Sequence, residues 1–206
     1  MMELIGYMDS PYVRRVAISA RLLDVPYQHR ELSIWRDYDE FRAINPLVKV
    51  PTVVLDDGTM LAESSLIIDY LERQTATGRS LWPTDPQHYR PALHLTGIAL
   101  VAMEKSVQLI YEKVQRPQEK QHPDWIARVQ QQLGSALTLL ESASEQADPW
   151  LVGRSVTQAD ISAAVAWRFT RHASVVDADP ADHPALTAFS ERAESLPEFQ
   201  ACPLSG

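Results

Sequence analysis

Three short groupings hold residue types that could do chemistry: Ser10-Pro11, Val50-Pro51 and Glu63-Ser64. Glu63-Ser64 follows a short apolar run and opens a segment in which Leu66, Ile67, Tyr70 and Leu71 fall at helical spacing. A helix start presents unpaired N–H groups and partial positive charge, which suit a carboxylate or a phosphate. Ser64 reads as the cap of that helix, with Ile67 three residues on, so no capping-box acid competes for the same groups. Glu63 adds a negative charge beside them. A ligand carrying an ammonium and a carboxylate on one carbon, an α-amino acid head, matches both features. Val50-Pro51 precedes the apolar run Thr52 to Leu55. Proline cannot donate to a β-ladder, so it marks a strand start or edge, or a turn with a cis bond. A turn there leaves the Val50 N–H and C=O free to pair with an extended, peptide-like ligand. Taken alone, a simple edge-strand entry is the preferred reading of Pro51. Ser10-Pro11 is a helix opening, with serine at the cap and proline at the first helical position.

The elements that must position these residues follow from periodicity. Met2 to Tyr7 reads as a first strand, and Val13, Val16, Ala17, Ala20 and Leu23 give a helix after it. Tyr27 to Leu32 is a second strand, so the first crossover is right-handed and the pair parallel. Trp35 to Ile44, with Tyr38, Phe41 and Ile44 inward, is a short helix stopped by Asn45-Pro46. Asp57-Gly58 turns a hairpin between Val50–Leu55 and Met60–Ala62. The sum is βαβ-α-ββα, with helices on a small mixed sheet. From Thr75 to Pro91 glycine and proline mark a linker, and beyond it no strand signal survives. A long helix from about Tyr89 to Val114 has Leu93, Gly97, Leu100, Val101 and Leu109 as inward candidates. Trp125, Ile126, Val129, Leu133, Leu137 and Leu140 mark a second long helix, and Ala185 to Ser195 a last one. Thr157-Gln158-Ala159-Asp160 is a capping-box variant opening an alanine-rich helix. The expected domains are 1–76, a linker at 77–87, and 88–206.

Composition narrows the partners. The 206-residue chain has a net charge of −8 without basic runs, which argues against nucleic acid or an anionic membrane surface. The first residues lack a signal peptide's basic and apolar regions, and Ile98 to Met103 is far short of a membrane span. The single cysteine, Cys202, allows no internal disulfide framework, which fits a reducing, cytoplasmic setting. The histidines have no metal-ligand spacing, since His88 and His94 lie on different helix faces.

A small βαβ-α-ββα domain followed by an all-helical one resembles the soluble glutathione transferases, and four motifs stand in matching order. Ser10-Pro11-Tyr12-Val13-Arg14 is similar to the start of the first helix in the serine-type members. Val50-Pro51 resembles the family's cis Val-Pro, Glu63-Ser64 its γ-glutamyl site, and the stretch from Gly153 to Asp160 its second-domain capping box. The resemblance spans essentially the whole chain. It implies an α/β thioredoxin-like N-terminal domain plus an all-α C-terminal domain with an electrophile pocket. It implies glutathione as co-substrate, a small electrophile, peroxide or disulfide as the other reactant, and a homodimer. Carried over by residue, the Ser10 hydroxyl donates to the glutathione sulfur and the Val50 backbone pairs with the cysteinyl residue. Glu63 and Ser64 hold the γ-glutamyl head, and Lys49 approaches the glycyl carboxylate. No metal is implied.

A thiol with a pKa of about 8.5 is only a few per cent ionised at neutral pH, and the thiolate is the nucleophile. Lowering that value by about two units needs roughly 2.7 kcal/mol of preference for the anion. One hydrogen bond to an anion contributes roughly 1.5–3 kcal/mol, and a helix N-terminus up to about 1 more. Ser10 at the head of the first helix supplies both. Plainer readings stand beside these. Ser10 can be a cap only, Glu63 a solvated turn charge and Lys49 a surface charge. Tyr7 competes with Ser10, because other members use a tyrosine near the first strand's end. Met103, Tyr111 and Trp167 fit a pocket lining and core packing equally. Members doing thiol-disulfide chemistry carry a cysteine where this chain has Ser10. Two readings compete with conjugation: a non-catalytic scaffold that keeps the fold, and a glutathione-dependent isomerase or lyase.

Overall fold

The computed structural model describes residues 1–173, 176 and 178–204. Two compact units are present, one of Met1–Leu81 with the C-terminal residues from Leu196, the other of Trp82–Ser195. In the first unit the elements are β1 (Met2–Ile5), α1 (Pro11–Leu22), β2 (Tyr27–Arg30), α2 (Tyr38–Ile44), β3 (Thr52–Val54), β4 (Met60–Ala62) and α3 (Ser64–Gln74). The sheet order is β2-β1-β3-β4, with β1 parallel to β2 and the other neighbours antiparallel. This is the thioredoxin-like domain that the resemblance implies. Successive strand residues face opposite sides, so Ile5 packs on Leu32 and on Phe41 of α2 while the buried Leu4 points to the other face. Tyr38, expected inward, is exposed because it begins α2, where Phe41 is buried in the core and Ile44 packs against it. The strands are shorter than their apolar runs, because β3 pairs with β1 only from Thr52 onward.

The second unit is helical among its described residues, with α4 (Pro86–Ile110), α5 (Pro123–Ser144), α6 (Gln158–His172) and α7 (Pro184–Glu194). A π-helical turn, Tyr111–Gln115, extends α4, and the combined helix is long and apolar enough to pass for a membrane span by length and composition. It packs instead against α5 and α6. The inward face of α4 differs from the expected one. Ala92, Thr96, Ala99, Ala102, Met103, Ser106 and Leu109 are buried, while Leu93, Gly97 and Val101 face outward. Small residues let the neighbouring helices approach closely, so residue size misled where the helical phase decides. Trp125, in the first turn of α5, is likewise exposed.

The chain ends in a short helix, α8 (Pro197–Gln200), which packs on α1. Phe199 is fully buried there, beneath the Arg14 guanidinium at 5.9 Å, and Arg14 Nε donates to the Cys202 carbonyl at 2.7 Å. The last residues thus belong with the sheet domain, whereas the sequence alone runs the helical domain on to 206.

Candidate functional site

Ser10 is the N-cap of α1, with extended backbone angles and Pro11 behind it. Its Oγ accepts from the Val13 amide at 3.4 Å, a long and weak cap bond, and the side chain is half-buried. A hydroxyl that accepts through a lone pair keeps its own proton to donate. Capping and donation to an anion are therefore compatible, and the two readings of Ser10 do not exclude each other. Tyr7 is placed differently. The Arg36 guanidinium lies over its ring at 5.1 Å, a cation–π contact that uses the ring face.

Gly6 brings the α1 start to the Val50 turn. Its φ is +132°, and a β-carbon there would come within 2.7 Å of a Val13 methyl and 2.8 Å of a Val50 methyl. Only glycine allows so close an approach with that backbone. The Gly6 carbonyl is held by His29 Nε2, a donor in this contact, at 2.8 Å.

The Val50–Pro51 bond is cis. Val50 lies outside the ladder, which begins at Thr52 opposite Ile5, and its side chain packs against the Ile5–Leu32–Phe41 cluster. The turn is stapled by Asn45, a buried side chain that the sequence did not single out. Its Nδ2 donates to Thr52 Oγ1 at 2.8 Å and its Oδ1 accepts from the Leu47 amide at 2.9 Å. Thr52 Oγ1 donates in turn to the Lys49 carbonyl at 2.7 Å. Val48 takes φ +48°, left-handed for a β-branched residue. The Lys49 side chain extends into solvent.

At α3 the sequence expectation needs correction. Glu63, not Ser64, is the N-cap, with φ +72°, and its carboxylate accepts from the amides of Ser65 (3.1 and 3.2 Å) and Leu66 (3.3 Å). Glu63 can do this because the left-handed backbone folds its longer side chain back over the first turn. The carboxylate remains exposed, with lone pairs left for a cation. Ser64 is buried, at 1% exposure. Its Oγ accepts from Arg15 at 2.9 Å and lies 3.3 Å from Glu63 Oε1. The Ser64 amide, in the first turn, has no intrahelical acceptor.

Ser10, Val50 and Ser64 thus converge on α1, through Gly6 on one side and Arg15 on the other. Lys49 is joined to them only through its backbone. Met103 and Trp167 are core residues at no more than 1% exposure, and Tyr111 is 40% exposed. Among the described residues no group of three or more side chains could hold a metal ion.

A thioredoxin-like sheet carrying a helix-cap serine, a cis Val-Pro turn and a carboxylate-capped helix start, joined to a helical unit, defines a class of glutathione-handling proteins. Known sequences agree with that. The description "Glutathione S-transferase, N-terminal domain" matches residues 4–80, and "Glutathione S-transferase, C-terminal domain" matches 123–192. The chain belongs to the glutathione S-transferase family. It is 33% identical over 91 residues to glutathione S-transferase U4 of Arabidopsis thaliana, covering 44% of this chain and 40% of that one. Such plant matches span about two fifths of the relatives' own length. Over nearly the whole chain it is 28% identical to the Probable maleylacetoacetate isomerase 2 of Drosophila melanogaster, covering 96% of this chain and 86% of the relative. Among solved structures it is similar to a glutathione S-transferase from Methylobacterium radiotolerans in complex with glutathione sulfonate. That match has a TM-score of 0.86 at 26% identity, over 100% of this chain and 96% of that one. A glutathione transferase family member from Pseudomonas fluorescens with bound glutathione gives 0.83 at 27% identity, over 100% of both chains.

Proposed function

We propose that the protein is a serine-type glutathione transferase, using glutathione as co-substrate against a small electrophile or peroxide. The observation that carries this reading is the Ser10 hydroxyl at the head of α1. It is loosely tied at 3.4 Å, with its proton free for a sulfur anion. The Gly6 approach sets that hydroxyl near the Val50 turn, whose backbone lies outside the ladder and is open to the cysteinyl residue of an extended tripeptide. The exposed Glu63 carboxylate suits the γ-glutamyl ammonium, and the Ser64 amide and hydroxyl suit its carboxylate. Lys49, exposed beside them, suits the glycyl carboxylate through its charge.

The Ser10 bond and the α1 dipole together offer roughly 1.5–4 kcal/mol to a thiolate, a range that includes the roughly 2.7 kcal/mol that a two-unit pKa depression requires. The thiolate then attacks the electrophilic carbon, forms the C–S bond, and displaces a leaving group or adds across a double bond. The helical unit is the place for the electrophile, and the sheet unit the place for glutathione. The exposed Leu66 on α3, and Tyr89, Leu93 and Val101 on α4, favour a homodimer that covers them. A single buried, free Cys202 suits a reducing cytoplasm. A glutathione-dependent isomerase is the second reading, favoured by the near full-length match to the fly relative of that name. Steady-state kinetics with 1-chloro-2,4-dinitrobenzene and with maleylacetoacetate separate the two. Under the first reading Ser10→Ala lowers kcat/KM for conjugation about 100-fold, and a variant with full conjugating activity would refute it.

A further inference from the structure

Arg15 is the odd residue of α1. It follows Ser10 by five positions and is 1% exposed, where an arginine on an amphipathic helix ordinarily points to water. A buried charge persists only when it is paired and hydrogen-bonded. Arg15 donates to Ser64 Oγ at 2.9 Å and to Ser65 Oγ at 3.2 Å. Burial lowers its pKa from the ordinary arginine value to about 10, opposed first by the Glu63 carboxylate and then by Tyr12, so it is charged at neutral pH.

Hydrogen-bond direction decides what this does to Ser64. A guanidinium has donors and no acceptor, so the Ser64 oxygen can only accept from it. The Ser64 proton must then be given elsewhere. Its direction is toward Glu63 Oε1 at 3.3 Å, the side on which the Glu63 carboxylate is exposed. A simple tie between α1 and α3 needs some donor, but not a buried positive charge. The charge matters to an anion seated above it.

We infer that Arg15 is the selectivity and positioning residue for the α-carboxylate of the γ-glutamyl group: by making the Ser64 oxygen an acceptor it leaves the Ser64 proton, only weakly engaged with Glu63 Oε1 at 3.3 Å, to be turned to that carboxylate, and it supplies positive charge beneath it. Arg15 does not touch the ligand but acts through Ser64 and Ser65. The role rests on the glutathione reading of the site given above. Both bonds leave one nitrogen, Nη1, whose two hydrogens the planar guanidinium holds in fixed directions, and lysine's freely rotating, more strongly hydrated ammonium replaces that only in part.

Isothermal titration calorimetry tests this with two ligands: glutathione, and γ-aminobutyryl-cysteinyl-glycine, which lacks only the α-carboxylate. Wild type, Arg15→Lys, Arg15→Gln, Ser64→Ala and the Arg15→Lys/Ser64→Ala double variant are compared. Wild type is expected to prefer glutathione about 100-fold, as one or two charge-assisted hydrogen bonds would give. Arg15→Lys should lose about tenfold for glutathione and less than about threefold for the analogue. In the Ser64→Ala background the same change should cost less than about threefold for glutathione. In turnover, KM for glutathione rises while kcat at saturation stays within about threefold. If Arg15→Gln does not fold, the lysine variant and the double variant decide. Equal losses for both ligands, or a lysine penalty undiminished without the Ser64 hydroxyl, would make Arg15 a structural tie and overturn the inference. Wild type failing to bind glutathione at millimolar concentration would instead overturn the ligand reading, and this role with it.

Discussion

Among the helix starts held by a carboxylate, those of α6 and α3 are opposites. At α6, Thr157 and Asp160 form a capping box in which Asp160 accepts from the Thr157 amide and the Leu151 amide, both at 2.8 Å, and from Thr157 Oγ1 at 2.7 Å. Asp160 is fully buried, and its donors come from its own helix start and the loop just before it. At α3, Glu63 is exposed, sits at φ +72°, and is backed by a buried arginine 48 positions earlier in the chain. The first start is closed, unstrained and locally satisfied. The second holds a left-handed backbone and leaves polar capacity facing solvent, as the proposed γ-glutamyl site requires. Capping grammar is common to both, so burial and strain are what tell them apart.

The comparison yields opposite consequences for mutation. Asp160→Ala strands the buried Thr157 amide and hydroxyl and the part-buried Leu151 amide, and should lower the unfolding free energy by about 3 kcal/mol in urea denaturation. The glutathione affinity of the protein that remains folded should stay unchanged. Glu63→Gln should cost only about 1 kcal/mol of stability, because the cap is exposed and the amide oxygen still accepts. It should weaken glutathione binding about 30-fold, since the ammonium loses its counter-charge. A Glu63 variant that is unstable but binds normally would erase the distinction between the two starts.

The smallest effect is electrostatic. Burial raises the Asp160 carboxyl above its ordinary 3.8, opposed by its bonds from Thr157 and Leu151. The folded chain therefore holds that proton more tightly than the unfolded one. The stabilisation from this group is full below about pH 3.8 and is lost as pH rises through the raised value. Wild type should accordingly lose stability relative to Asp160→Asn across that window, at no more than about 1.4 kcal/mol for each pH unit crossed. Urea denaturation of the two proteins at a series of pH values measures it. A difference that runs the other way, with wild type gaining as pH rises, would mean that the hydrogen bonds outweigh burial.

What the sequence disclosed was mostly local. Ser10-Pro11, the Asp57-Gly58 turn and the Thr157–Asp160 box each act within a few residues, and the fold confirms each of these elements. The order of elements was legible for the same reason, since a period of two or 3.6 needs no partner. Arg15 was not legible. Its hydroxyl partners lie 49 and 50 residues away, and a charge beside Arg14 reads as a wet helix face until burial is seen. Asn45 was read only as a helix stop, although its bond to Thr52 shapes the Val50 turn. The sequence marks Glu63 as a ligand contact but not as the cap, because that geometry depends on a positive φ that residue type does not announce. The exposed stripe on α4 is hidden from the sequence because apolar size does not report which way the helical phase turns a residue.

The most direct measurement of the central claim is ultraviolet titration of the bound glutathione thiolate, for wild type and Ser10→Ala. A serine donor at the head of α1 predicts a thiol pKa about two units below the free value of about 8.5 in wild type, restored close to that value in Ser10→Ala. Wild type that binds glutathione with an unshifted thiol, or a depression that survives Ser10→Ala, would contradict it.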